Sequence, residues 1–276
     1  MSLLFQYPFI QNAFFAGSMV AIVAAIVGYF LLSRGLTFAG HALAHIGFAG
    51  AAGALVLGIA PVFGLLFFTI SAGIGIGVLG RKLSERDVTI GIIMTLILGL
   101  GALFISLYSG YAESAYSILF GTILGISRTD VLVTAIFSII SIIVLAGIFR
   151  PLLFSSFDPE VAEAKGVPVR FLAIIFLILV AIVVSMSVQI IGVLLIFTLL
   201  VGPAATAIRL VHRPSTAILI SIILGLCYTW TGIFLAINST WPVSFYIATL
   251  SFGVYLPVRI FSPNFKRNQQ SMSEST

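Results

Sequence analysis

Residues 171–209 run for 39 positions with no charged side chain before the terminal Arg209. A single helix of that length would measure about 58 Å, roughly twice the hydrocarbon core of a bilayer. The stretch therefore predicts two crossings, with the break between Gln189 and Gly192. Similar apolar runs, bounded by charged residues or Pro, Gly and Asn, recur at 12–32, 36–58, 61–80, 88–109, 131–149, 171–189, 190–209, 215–237 and 243–261. These runs are continuous, whereas barrel strands alternate apolar and polar over about ten residues. Charged residues are only 8% of the chain and hydrophobic ones 61%, against about 25% and 45–50% in soluble domains. The expected fold is all-α, a polytopic membrane helix bundle of eight or nine transmembrane helices. One transmembrane domain fills residues 1–276, with a disordered tail over 262–276.

Nine crossings put the termini on opposite sides, and basic residues concentrate in cytoplasmic loops. With the C-terminus inside, Arg34, Arg81, Lys82, Arg86, Arg150, Lys165, Arg170, Arg209, Arg213, Arg259, Lys266 and Arg267 fall inside, and only Arg128 of the 13 basic residues falls outside. The net charge of +5 thus has a membrane explanation, and no nucleic-acid partner is expected. The tail 262–276 is expected in the cytoplasm. The opening MSLLFQYPFIQN lacks the basic n-region of a cleavable signal. A lone cysteine, Cys227, excludes a disulfide within the chain.

Two segments depart from plain hairpins. Residues 110–130 (GYAESAYSILFGTILGISRTD) are too polar at their ends to span yet apolar in the middle, which reads as a short re-entrant or surface helix. A tenth span there would reverse every upstream loop. Small residues crowd 40–54 (GHALAHIGFAGAAGA) and 71–80 (SAGIGIGVLG). Such residues let helix backbones approach closely in lipid, so both helices are expected inside the bundle.

An ionisable side chain within a span is costly and marks a site by default. His41 and His45 stand four residues apart in the second run, so they stack on one helix face with Cβ atoms about 6 Å apart. Both imidazoles could reach one cation. Zinc prefers four ligands, so two per chain make an open site, suited to an ion that must also leave. The plainer alternative is a pair of neutral histidines bonded to carbonyls or hydroxyls of neighbouring helices. Asp87 opens the fourth run and is expected to cap its helix. Gln189 and Asn238 are weak polar signals, and His212, among Arg209, Arg213 and Pro214, reads as a surface histidine.

The sequence holds no GxxxxGK[ST], HExxH or GxSxG, so neither a P-loop nor a familiar hydrolase centre is present. Two inner segments look like docking surfaces. FDPEVAEAKGVPV (157–169) predicts a short polar helix closed by Gly166 and Pro168. GPAATAIRLVHRPS (202–215) predicts a helix starting with Pro203 in its first turn, with the small side chains Ala204, Ala205, Thr206 and Ala207 at a solvent-facing tip.

The segments YPFIQNAFFAG (7–17), GLTFAGHALAHIGFAGAAGAL (35–55), DVTIGI (87–92), ILFGTILGIS (118–127), FDPEVAEAKGVPVRFL (157–172) and QIIGVLLIFTLLVGPAATAIRL (189–210) resemble, in their order and spacing, the permeases of bacterial metal-uptake ABC transporters. The resemblance covers about residues 7–256. It implies a type II-like importer permease in the bacterial cytoplasmic membrane and a homodimer. It also implies a separate cytoplasmic ATP-binding subunit and an extracytoplasmic metal-binding protein. On the same resemblance His41 and His45 fall on the family's Asp/His metal pair, and Pro203, Ala204, Ala205, Thr206, Ala207 and Arg209 on the helix that couples to the ATPase. No resident cofactor is expected, only the transported ion.

His41 stands where the family usually has aspartate, and the last outer loop, INSTWPVSFYIA (237–248), lacks the proline-threonine-glycine turn of many relatives. Imidazole suits zinc whereas carboxylate suits manganese, so zinc is the favoured ion, with manganese or iron next. An ion-coupled carrier would normally carry intramembrane carboxylates. An intramembrane metalloenzyme would need a third ligand and a general base. Neither is evident in the sequence.

Overall fold

The computed structural model describes residues 7–79, 83–108, 121 and 125–261. These form ten helices: α1 (Pro8–Ser33), α2 (Thr37–Val56), α3 (Pro61–Leu79), α4 (Leu83–Leu107), α5 (Arg128–Phe157), α6 (Pro159–Ala164), α7 (Val169–Ile191), α8 (Val193–Leu210), α9 (Pro214–Ile237) and α10 (Val243–Phe261). Eight are long and apolar enough to cross a membrane, and α8, with the shorter apolar stretch Leu195–Leu210, makes the ninth pass.

Local chemistry sets several boundaries. Pro8, Pro61, Pro159 and Pro214 each begin a helix, where a missing N–H costs nothing and φ is already helical. At the start of α5 a capping box closes reciprocally: Asp130 N–H donates to Ser127 Oγ (3.1 Å), and the Ser127 N–H donates to the Asp130 carboxylate (3.0 Å). The long apolar stretch breaks at Gly192, at φ +82° and ψ 162°, a region essentially restricted to glycine. Gln189 remains inside α7.

Asp87 does not cap. The helix already begins at Leu83, one turn upstream, so Asp87 is its fifth residue. The short polar helix expected after Phe157 is α6, with the Asp158 carboxylate accepting from the Val161 N–H at 2.9 Å.

The helix ends gather into two rims. Arg34, in the α1–α2 turn, donates to Ser155 Oγ at the end of α5 (2.8 Å), and Arg170, at the start of α7, donates to the Val78 carbonyl at the end of α3 (3.3 Å). We call this the basic end. At the opposite end the Asn12 amide donates to the Ile126 carbonyl (2.9 Å), and Gly53 of α2 packs on Phe104 of α4. Thus α4 finishes and α5 starts at the same end, so the connection between them makes no net crossing and is not a tenth span. Of that connection, Gly121 lies against the backbone of Ile190 to Gly192. Most of the helix expected over 110–130 lies outside the described residues, as does the tail 262–276.

The bundle has an inner and an outer shell. In α1, α2 and α7, 67%, 78% and 67% of the most apolar window is buried, against 11% in α4 and 17% in α5. Close backbone approach explains α2: a Cβ on Gly50 would overlap the Gly64 carbonyl of α3, and one on Gly64 would overlap that of Gly50. The expectation that α3 is equally enclosed is corrected. Only its face through Leu65, Thr69, Gly73 and Ile76 is buried. Gly73 and Gly77 press on α7, and Gly75 meets open space. Repeats of small residues four apart give one close face, not burial all round. A buried hydroxyl pair, Thr69 and Ser185 at 2.7 Å, ties that face to α7.

Candidate metal site and coupling segment

His41 and His45 project from α2 as their spacing requires, with ring centroids 4.6 Å apart and planes at 80°. Both are partly exposed, whereas Ala42, Leu43, Ala44 and Ile46 between and beyond them are at most 1% exposed. They lie about 6 and 12 Å along the helix axis from its first residue, Thr37, in the half nearer the basic end. The His41 ring also meets Phe197 of α8 edge-on, centroids 4.8 Å apart. Its Nδ1 is buried and has no hydrogen-bond partner among the described residues. For that one nitrogen no carbonyl or hydroxyl partner is found among the described residues. A buried imidazole nitrogen with no partner loses hydration without compensation, and a metal ion at 2.0–2.1 Å would supply it. No group of three or more His, Cys, Asp or Glu side chains assembles among the described residues. The pair alone thus offers two nitrogens of a four-ligand set.

Phe197 was not legible in the sequence. It is an ordinary apolar residue in an apolar run, and only the packing of α8 on α2 brings it to the imidazole. A Cβ on Gly28 would overlap the Leu200 carbonyl, so α1 also meets α8 backbone to backbone.

The 202–215 segment is arranged differently from expectation. Pro203 does not open a helix; it is the eleventh residue of α8, which runs unbroken from Val193 to Leu210. It forfeits the intrahelical bond to the Leu199 carbonyl. Nor do the small side chains form a free tip, since Ala204, Thr206 and Ala207 are all 0% exposed. Thr206 donates back to the Gly202 carbonyl (2.9 Å), and Gly202 lies directly against Ser251 of α10. The Arg209 guanidinium sits over the Tyr255 ring at 5.6 Å. Solvent-facing positions begin only at Leu210 and include His212 and Arg213 in the turn to α9. His212 is a surface residue, and Asn238 is exposed and donates to the Phe234 carbonyl (2.7 Å), closing α9.

The chain is 33% identical over 232 residues to "Manganese transport system membrane protein MntC" of Listeria innocua, covering 84% of this chain and 82% of that protein. It is 31% identical over 272 residues to "Manganese import system permease protein ScaB" of Streptococcus parasanguinis, covering 97% and 96%. Its fold is similar to a chain of PsaBC from Streptococcus pneumoniae, solved in complex with Fab, with a TM-score of 0.85, 28% identity and 97% of both chains covered. Residues 6–262 match the model of the ABC 3 transport family, and the chain belongs to that family.

Proposed function

We propose that this chain is the membrane permease subunit of an ABC importer for a divalent transition-metal ion, acting as a homodimer of one transmembrane domain per copy. The observation that carries this reading is the imidazole pair on α2, 4.6 Å apart, with a buried and unpartnered His41 nitrogen. Two donors per copy, on a partly open face, leave positions on the ion unfilled, which suits an ion that must also leave.

The nucleotide chemistry belongs to a separate cytoplasmic ATP-binding subunit, since the sequence carries no P-loop. That subunit docks at the basic end, which the positive-inside rule places in the cytoplasm. Leu210, His212 and Arg213 supply the exposed contact, while Pro203, Ala204, Ala205, Thr206, Ala207 and Arg209 carry its movement into α8, α10 and so to Phe197 and His41. An extracytoplasmic metal-binding protein delivers the ion to the opposite end. Alternating access then requires that the imidazole geometry differ between the two states, because a ligand bound equally in both shifts nothing.

Within the metal class the donors favour zinc, as two nitrogens and no carboxylate are a borderline set. The relatives named above are named for manganese and lend zinc no support. Uptake of radiolabelled zinc and manganese, in cells lacking their native importers but supplied with this permease and its ATPase, decides between them. The expected result is ATPase-dependent zinc uptake that manganese competes with poorly. Strong manganese preference would end the zinc assignment. Uptake that survives loss of the ATPase would replace the importer with an ion-coupled carrier.

A further inference from the structure

A cavity of about 10 Å³ lies between α1, α5 and α7, close to the room that one water molecule needs. Neither imidazole of the metal site lines it, nor does any residue of 203–213. Its walls mix two chemistries. Val20, Val23 and Val183 are apolar, whereas α5 contributes the hydroxyls of Thr134, Ser138 and Ser141 and α7 that of Ser187. Thr134, Ser141 and Ser187 are at most 3% exposed, and Ser138 is half-buried.

The hydroxyl hydrogens are committed unevenly. Thr134 donates to the Asp130 carbonyl and Ser187 to the Val183 carbonyl, each at 2.7 Å and each within its own helix. Ser138 and Ser141 make no hydrogen bond among the described residues. Ser141 is the fourteenth of the 30 residues of α5, so its hydroxyl lies near the middle of a span. Lipid offers it no acceptor, and a buried hydroxyl without a partner is costly.

The occupant that meets this pattern must accept and donate at once. Ser138 and Ser141 each have a hydrogen to give, and Ser187, its own hydrogen committed, still has an oxygen lone pair to receive one. A water molecule taking two bonds and giving one makes three, the usual number for a buried water. Thr134 lies about 10 Å along the axis from Ser141, too far for the same molecule, and closes the other end of the cavity. A cation would find only neutral side chains in the lining, with nothing to offset its charge inside the membrane. An acyl methylene would leave both serine hydrogens unmet.

We propose that this cavity holds one ordered water that joins α5 to α7 through Ser138, Ser141 and Ser187. Only 17% of the most apolar window of α5 is buried, so the water secures a peripheral helix to the inner shell at a level where direct hydroxyl contacts are lacking. No part of the transport reading enters this inference.

The test is radiolytic footprinting of the full-length chain in lipid nanodiscs, where a microsecond X-ray pulse converts water into hydroxyl radicals that oxidise the side chains beside it. Met186 lines the cavity and is 5% exposed. It should be oxidised within the pulse yet resist added hydrogen peroxide, which has to enter from bulk solvent. Ser141→Val, which fills the cavity with a methyl group and removes a donor, should abolish the radiolytic oxidation of Met186 without lowering Tm. Ser187→Ala removes the acceptor without adding bulk and should reduce that oxidation. Met186 left intact by the pulse in the wild type, peroxide oxidation as fast as that of a free methionine, or undiminished radiolytic oxidation in Ser141→Val would overturn the proposal. If Ser141→Val fails to fold, Ser187→Ala decides, and oxidation unchanged from the wild type rejects the water.

Discussion

An imidazole at position 41 does two things that a carboxylate there would not. It brings no charge of its own into the span, where an ionised group is expensive, and it offers nitrogen where manganese prefers oxygen. His41 pays for burial with a nitrogen that has no partner among the described residues, and that deficit gives the residue its significance. Replacing either His41 or His45 with alanine should lower metal uptake by more than about 100-fold, since even outer partners of metal ligands cost 10–100-fold when lost. Dimer assembly and membrane yield should be unchanged, as measured by cross-linking and blotting of the same membranes. Wild-type uptake in both variants would move the site elsewhere. His41→Asp restores the family's usual donor and should shift the competition profile from zinc towards manganese, with His45→Asp as the matched comparison.

At the level of elements, the passes were legible because length in a bilayer is a hard constraint. An apolar stretch of 39 residues has to break, and it breaks at Gly192, the first of its two glycines, which takes φ +82°. Gly192→Ala should therefore cost about 1–3 kcal/mol, the strain of that backbone region for a residue with a Cβ. It should appear as a lower Tm of the purified chain, while Gly75→Ala, which meets open space, should leave Tm unchanged or slightly raised. The helix ends were less legible. Leu83 to Arg86 mix polar and apolar residues, so Asp87 looks like a boundary although the hydrogen-bonded ladder already runs through it. Pro203 looks like a helix start for the same reason, because proline favours a first turn as strongly as it disfavours an interior. Its neighbours are buried by α9 and α10, which follow it in the chain, so no local pattern reveals their burial. The packing also divides the proposed coupling segment into two testable classes. Ala204→Leu, at a fully buried position, should reduce folded yield. Arg213→Glu, in the exposed turn, should leave yield intact and abolish metal-stimulated ATP hydrolysis by the assembled transporter.

For the molecule as a whole, the two rims settle what the chain has to connect. The imidazole pair lies in the half of α2 nearer the basic end, so on the proposed path an ion from the opposite side would pass most of the bundle before meeting it. That geometry makes sense for an importer only if the basic end faces the cytoplasm. Nine passes put Pro8 and Phe261 at opposite rims, and Asn238, exposed between α9 and α10, lies at the rim away from the basic end. The sidedness can be read with single cysteines in a Cys227→Ser background, since Cys227 is the only native thiol. A membrane-impermeant maleimide applied to intact cells should label Asn238→Cys fully, and should label Ser275→Cys in the tail only after the membrane is permeabilised. The reverse pattern would place the basic rim outside, detach the coupling turn from any cytoplasmic ATPase, and turn the path past His41 and His45 into one for export.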